Sequence, residues 1–295
     1  MEVHQLRYFC AVAEAGSFTR AAEREKVAQP SLSQQIMKLE EELGVRLFDR
    51  LGRTVRLTDP GQTFLPRART ILREMKAAKE EVVERETTVC GSVSMGVIPT
   101  IAPYFLPSRI ALFSRKNPRA ALNVTEDITV RLMDQLRAGI IDLAIVALPT
   151  RGNDFDCIPL LTERLFAVLP KHHALARKHT LMLKELREEP FLLLRDGHCF
   201  RETAMEACKQ ARILPQIVFE SGQFSSIVAM VGAGLGISIV PEMALERRAD
   251  CNYVLIGDQK ASRTIGVATL KGHFLSRVQR AFVDHLRVHA PEHVG

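Results

Sequence analysis

Several absences bound this 295-residue chain. It has no run of about 18 apolar residues, so no membrane-spanning helix is expected. The opening Met1-Glu2-Val3-His4-Gln5 lacks a basic segment followed by an apolar one, which predicts no secretory signal and a cytoplasmic address. The cysteines Cys10, Cys90, Cys157, Cys199, Cys208 and Cys251 form no CxxC pair and no zinc-knuckle spacing. Free thiols are therefore expected, with no metal site and no cofactor. Concentrated N-terminal positive charge is also missing. The chain carries +6 overall, yet residues 1–90 hold 15 Lys+Arg against 14 Asp+Glu. Any argument for nucleic acid must rest on the position of charges, not on their total. A composition of 46% hydrophobic and 25% charged residues excludes disorder and fibrous repeats. The length suggests about two domains.

Residues 4–15 read as a helix, with Leu6, Phe9, Cys10 and Ala13 at helical spacing. Gly16 ends it and Ser17 can cap a second helix over 18–25. Gln29-Pro30-Ser31 opens a third, with Pro30 in the first turn, where its missing N–H costs nothing. On this third helix Leu32, Ile36, Leu39 and Leu43 share one face. Pro30, Ser33, Gln34, Met37 and Lys38 form the other, which is polar and not acidic. Two short helices, a tight turn and a polar second face describe a helix-turn-helix. Gln34 can read base edges, and Lys38 can reach base or phosphate. Taken alone, the stretch would also suit a plain surface helix. Beyond Gly44, Arg46, Arg50, Arg53 and Arg56 surround a turn at Gly52, as in a basic wing laid on DNA. From Asp59-Pro60-Gly61 a helix of about 25 residues is predicted. Its Phe64, Ala68, Ile71, Met75, Ala78 and Val82 make a heptad seam, which nothing local is expected to cover, so dimerisation is predicted.

These residues carry a resemblance. The runs Leu6-Arg7-Tyr8-Phe9, Gly16-Ser17-Phe18-Thr19-Arg20-Ala21-Ala22, Val27-Ala28-Gln29-Pro30-Ser31-Leu32-Ser33 and Leu43-Gly44-Val45-Arg46-Leu47-Phe48-Asp49-Arg50 resemble LysR-type transcriptional regulators. The resemblance covers residues 1–86. It implies binding of double-stranded promoter DNA through Gln29, Pro30, Ser31, Ser33, Gln34, Lys38, Arg50 and Arg53. It also implies a homodimer or homotetramer, recruitment of RNA polymerase, and no membrane.

Downstream, strands near 93–97, 121–125 and 141–146 alternate with helices near 103–116 and 129–138, which argues for a parallel α/β sheet. A second unit starts near Leu165-Phe166-Ala167-Val168-Leu169. Gly232-Ala233-Gly234-Leu235-Gly236 follows a helix and enters a strand, the reverse of a dinucleotide loop. The expected fold is α/β: a winged helix-turn-helix over 1–58, a linker helix over 59–90, and a two-lobed, periplasmic-binding-protein-like regulatory domain over 91–295. Lobe I takes residues 91–161 and 268–295, and lobe II takes 162–267. A ligand cleft is expected between lobes.

Within lobe II, Cys199 falls near a predicted helix start, where backbone N–H groups favour a thiolate. His198, Arg201 and Arg195 are expected to add positive potential. Two unrelated buried cysteines are the alternative reading of Cys199 and Cys208. Residues 193–208 resemble the hydrogen-peroxide-sensing branch of the same family. That resemblance implies a peroxidatic Cys199 and a resolving Cys208, with His198, Thr100, Thr129 and Arg263 supporting the peroxide. The bland readings are a helix cap for Thr129, a turn hydroxyl for Thr100 and a surface ion pair for Arg263. Glu202 stands where some relatives have Asp. Hydrogen peroxide would be the signal, and thiol reductants of the glutaredoxin or thioredoxin type would reset the protein. Two rivals remain: a LysR-type regulator of a small organic effector, and a thiol peroxidase-like enzyme. His285, His289 and His293 recur every four residues, but Pro291 interrupts them and a solvated tail is expected.

Overall fold

The computed structural model describes residues 1–51, 54–83, 89–150, 152–272 and 274–288. The chain divides into two compact units, one built mainly on residues before Val89 and one built mainly on residues after it.

The first unit contains α1 (Val3–Ala15), α2 (Phe18–Glu25), α3 (Gln29–Leu43), the hairpin β1 (Phe48–Leu51) and β2 (Thr54–Leu57), and α4 (Asp59–Val83). Gly16 closes α1 in the left-handed conformation at φ 61°, and the Ser17 hydroxyl accepts the amide of Arg20 at 3.4 Å. Gly44 ends α3 in the same way, at φ 70°. Leu6, Phe9, Leu32, Ile36, Leu39 and Leu47 form the core. The ring of Phe9 lies 5.2 Å from both Phe48 and Phe64. Leu43 was expected on this apolar face but is 37% exposed. It is the last residue of α3, and Leu47 and Phe48 take over the core beyond it. The seam of α4 is also only partly as expected. Phe64 and Ala68 are covered locally, in the same core as α1. Ile71 and Ala78 are exposed, and the Val82 side chain lies outside the described residues.

The second unit runs β3 (Gly91–Val97), α5 (Ala102–Lys116), β4 (Ala120–Glu126), α6 (Thr129–Arg137), β5 (Leu143–Leu148), β6 (Phe155–Pro170), β7 (Thr180–Leu181), β8 (Pro190–Leu194) and α7 (Cys199–Gln210). It continues with β9 (Gln216–Ser221), α8 (Phe224–Gly232), β10 (Ile237–Pro241), β11 (Cys251–Ile256), β12 (Ser262–Leu270) and α9 (Arg277–Val288). The strand order is β4-β3-β5-β12-β6-β10-β8-β9, with β11 beside β6 and β7 beside β11. The outer strands pair in parallel, β3 with β4 and β5, and β8 with β9 and β10. The centre departs from the all-parallel expectation. There β12 is antiparallel to β5 and β6, and β6 is antiparallel to β10 and β11. The reason is topological: β6 and β12 carry the chain from one half of the sheet to the other and back.

His285 is not in a solvated tail. It is buried on α9, edge-on to Phe113 at 5.3 Å, and its Nε2 donates to the Arg109 carbonyl at 3.0 Å. His289 and His293 lie outside the described residues.

Candidate functional site

On α3, Gln29, Pro30, Ser31, Gln34 and Lys38 are exposed and Ser33 is half-buried. They stand together on the helix face opposite Leu32, Ile36 and Leu39. Gln35 turns back instead, accepting from Gln5 Nε2 at 3.2 Å and lying 3.1 Å from His4 Nε2. The hairpin register pairs Asp49 with Arg56 and Arg50 with Val55. Arg46 and Arg56 are exposed. Gly52, Arg53 and the Arg50 side chain lie outside the described residues.

Sequence reasoning passed over Glu40. Its Oε1 accepts the amides of Leu47 at 2.7 Å and Phe48 at 3.1 Å, so α3 itself holds the base of the wing. Thr58 adds a second tie, donating to the Arg46 carbonyl at 2.7 Å. A Cβ on Gly61 would stand 2.1 Å from the Leu47 oxygen, so only glycine fits where α4 passes the wing.

In the second unit, β8 ends at Leu194 and the loop turns through Gly197 at φ 92°. α7 then begins at Cys199 with His198 as its extended N-cap. Phe200 anchors the helix, fully buried and edge-on to Phe224 at 5.0 Å. The Cys199 residue is half-buried, with its sulfur in dense packing. Burial pushes its thiol above the ordinary cysteine value. The Thr129 hydroxyl, the Arg263 cation and the Ala147 backbone act against that rise, and Glu202 adds to it. This corrects the expected low thiol pKa: helix-start polarity is present, but desolvation outweighs it.

The expected sources of positive potential are also revised. His198 is buried, and burial together with Arg195 holds its ring below the usual imidazole range, so it is neutral at neutral pH. Arg201 is committed to Asp196 at 2.8 Å, to Glu220 and to the Leu194 carbonyl. The cation that favours a Cys199 thiolate is Arg263. It is no surface ion pair. Its side chain is 1% exposed and its Nε donates to Glu163 at 2.5 Å. Its Nη1 and Nη2 reach the hydroxyl and carbonyl oxygens of buried Thr100, both at 3.1 Å. The guanidinium stands 5.0 Å from the Phe200 ring centre. Thr129 Oγ1 is sealed from solvent, with no hydrogen bond of full geometry among the described residues, and it faces the Cys199 sulfur. The fold thus gathers Thr100, Thr129, Cys199 and Arg263 into one site.

Cys208 lies elsewhere. It sits near the far end of α7, 1% exposed in an apolar cluster, and burial pushes its thiol up to about 11. Nine helical steps separate it from Cys199, about 13 Å. Cys10 and Cys251 are buried, Cys90 is half-buried and Cys157 is exposed. Among the described residues no cluster of His, Cys, Asp or Glu could hold a metal ion, and no helix is long and apolar enough to cross a membrane.

A DNA-reading winged helix followed by a mixed α/β regulatory unit defines a transcription regulator. Comparison with known proteins gives the family. Residues 3–62 match the bacterial regulatory helix-turn-helix protein of the lysR family, and residues 86–291 match the LysR substrate binding domain. The chain belongs to the LysR family of DNA-binding transcription regulators, which are not enzymes. It is 34% identical over 292 residues to the uncharacterized HTH-type transcriptional regulator YybE of Bacillus subtilis, covering 99% of this chain and 100% of that one. It is also 34% identical to a hydrogen peroxide-inducible genes activator of Pectobacterium carotovorum, covering 98% and 97%. Full-length OxyR C199D from Pseudomonas aeruginosa superposes with a TM-score of 0.82 at 31% identity, covering 98% of each chain.

Proposed function

We propose that this regulator senses hydrogen peroxide through Cys199 and a Cys199–Cys208 disulfide, and activates oxidative-stress genes. The observation that carries the reading is the Cys199 sulfur at the start of α7, faced by the Thr129 hydroxyl and the Arg263 cation. Its likeness to peroxide-inducible activators and to OxyR adds support. In the reaction the thiol gives up its proton and the sulfur attacks one peroxide oxygen. An S–O bond forms as the O–O bond breaks, and the leaving hydroxide takes a proton to become water. Thr129 and Thr100 orient the peroxide, Arg263 stabilises the leaving oxygen, and His198 precedes Cys199 as the N-cap of α7. The Cys208 thiol then displaces water from the sulfenic acid and closes the disulfide.

Closure demands a new structure. A disulfide spans about 4.4–6.8 Å between Cα atoms, against about 13 Å along an intact α7. The helix must come apart, drawing Phe200, Ala204, Ala207 and Cys208 out of their packing. Oxidation therefore trades helix and core for a covalent link, which is a two-state switch. The repacked lobe, about residues 162–267, would alter how a cytoplasmic dimer or tetramer presents its winged helices, one per domain over 1–58, joined by the linker of 59–90. Gln29, Pro30, Ser31, Ser33, Gln34 and Lys38 would contact the operator, with Arg50 and Arg53 on the backbone. RNA polymerase would be recruited, and glutaredoxin- or thioredoxin-type thiols would reduce the disulfide.

The test is a peroxide titration of the reduced protein with thiol mapping and DNA footprinting. Cys199 is expected to react first, the disulfide to follow, and the footprint to change with it. Footprints insensitive to peroxide, with both thiols intact, would exclude the mechanism.

A further inference from the structure

Glu163 has no part in the chemistry above, yet it is sealed inside the same unit. Its side chain is 4% exposed, beside Arg263 at 1%. The two residues are direct register partners across β6 and β12. One carboxylate oxygen takes Arg263 Nε, and the other accepts the Met243 amide at 2.9 Å. With Nε held, both terminal nitrogens of the guanidinium turn to Thr100. The plane then lies near Phe200, next in sequence to Cys199. A buried ion pair adds little net stability over an apolar pair of equal volume, so stability does not account for it.

We propose that Glu163 is a positioning residue for Cys199: it holds Arg263 by Nε, aims the cation between Thr100 and the start of α7, and balances its charge. This rests on the redox reading of the site. The groups facing the sulfur come from several elements. Arg263 on β12, Thr129 on α6 and the Ala147 backbone on β5 favour the thiolate, while Glu202 on α7 opposes it. His198 at the N-cap is neutral. Glu163 on β6 supplies the counter-charge that limits what Arg263 does. Glu163→Gln keeps an oxygen for Nε but leaves the cation unbalanced. Glu163→Asp keeps the charge but shortens the reach.

The experiment uses full-length reduced protein and two readouts. The first, free of peroxide, is the pH titration of thiolate ultraviolet absorbance, taken as the difference from the same protein carrying Cys199→Ser. Glu163→Gln is expected to lower the midpoint by about one pH unit. Adding Arg263→Gln to it is expected to bring the midpoint back up. A midpoint in Glu163→Gln at or above the wild-type value overturns the inference. The second readout is the rate of Cys199 oxidation by hydrogen peroxide. In Glu163→Asp the midpoint is expected to rise above wild type, opposite to Glu163→Gln, and oxidation to slow about tenfold or more, because the cation has lost its aim at the sulfur. An unchanged rate overturns the inference, and this arm decides alone should Glu163→Gln not fold. Failure of peroxide to oxidise wild-type Cys199 strikes the redox reading instead, and the two failures are told apart by the titration.

Discussion

α7 holds two cysteines in opposite surroundings within 12 residues. At its start Cys199 is half-buried and faces a hydroxyl and a cation. Near its end Cys208 is packed among apolar side chains, where Asp258 adds to the burial that raises its thiol. Both thiols are harder to ionise than a free cysteine, but only Cys199 has groups that act against the rise. On the redox reading proposed above, the difference separates two tasks on one helix: one end would meet the reagent, and the other would be withheld until the helix opens.

The largest effect that bears on this contrast is all-or-none. Cys199→Ser is expected to abolish peroxide-dependent change in the DNA footprint. Cys208→Ser is expected to leave a sulfenic acid that a dimedone-type reagent traps. A normal response in Cys199→Ser would erase the distinction between the two ends.

Next comes stability against pH. Cys208 titrates near its ordinary value of 9.0 when unfolded, and at about 11 when folded. A neutral thiol favoured by folding gives full stability below pH 9. That stability is lost as pH rises from 9 towards 11, because the unfolded chain ionises first. The loss is about 2–3 kcal/mol. Denaturant unfolding of the reduced protein across that window should show it, and Cys208→Ala should flatten the fall relative to wild type.

A smaller effect tests the opening of the helix. Ala204 is buried midway along α7. Ala204→Gly is expected to weaken the helix by about 1 kcal/mol. Disulfide closure should then quicken about fivefold while the first oxidation keeps its rate, as stopped-flow thiol assays would resolve. Smallest of all, Thr129→Val replaces the hydroxyl facing Cys199 with a methyl group. Oxidation of Cys199 should slow a few-fold, with Cys208 unaffected in its protection from alkylation.

Much of this was legible in the sequence because it is local. The polar face of α3, the cap at Ser17, the stop at Gly44 and the start of α7 all depend on neighbours within a few residues. What escaped depends on distant partners. Glu163 and Arg263 are 100 residues apart, and nothing in either stretch says that the pair is buried. β6 was seen only at its apolar end near Leu165–Leu169. Its first nine residues include Asp156, Pro159, Thr162 and Glu163, which hide a strand. His285 looked solvated because its partner Phe113 lies on α5. The Cys199 thiol was misjudged for the same reason. A helix start is visible in sequence, whereas desolvation by β5, α6 and β12 is not.

Gly61 has a mechanical consequence. With no room between α4 and the Leu47 backbone, the first turn of α4 sits directly on the base of the wing. A side chain at position 61 would force the two apart, so the placement of the wing depends on the absence of one Cβ atom.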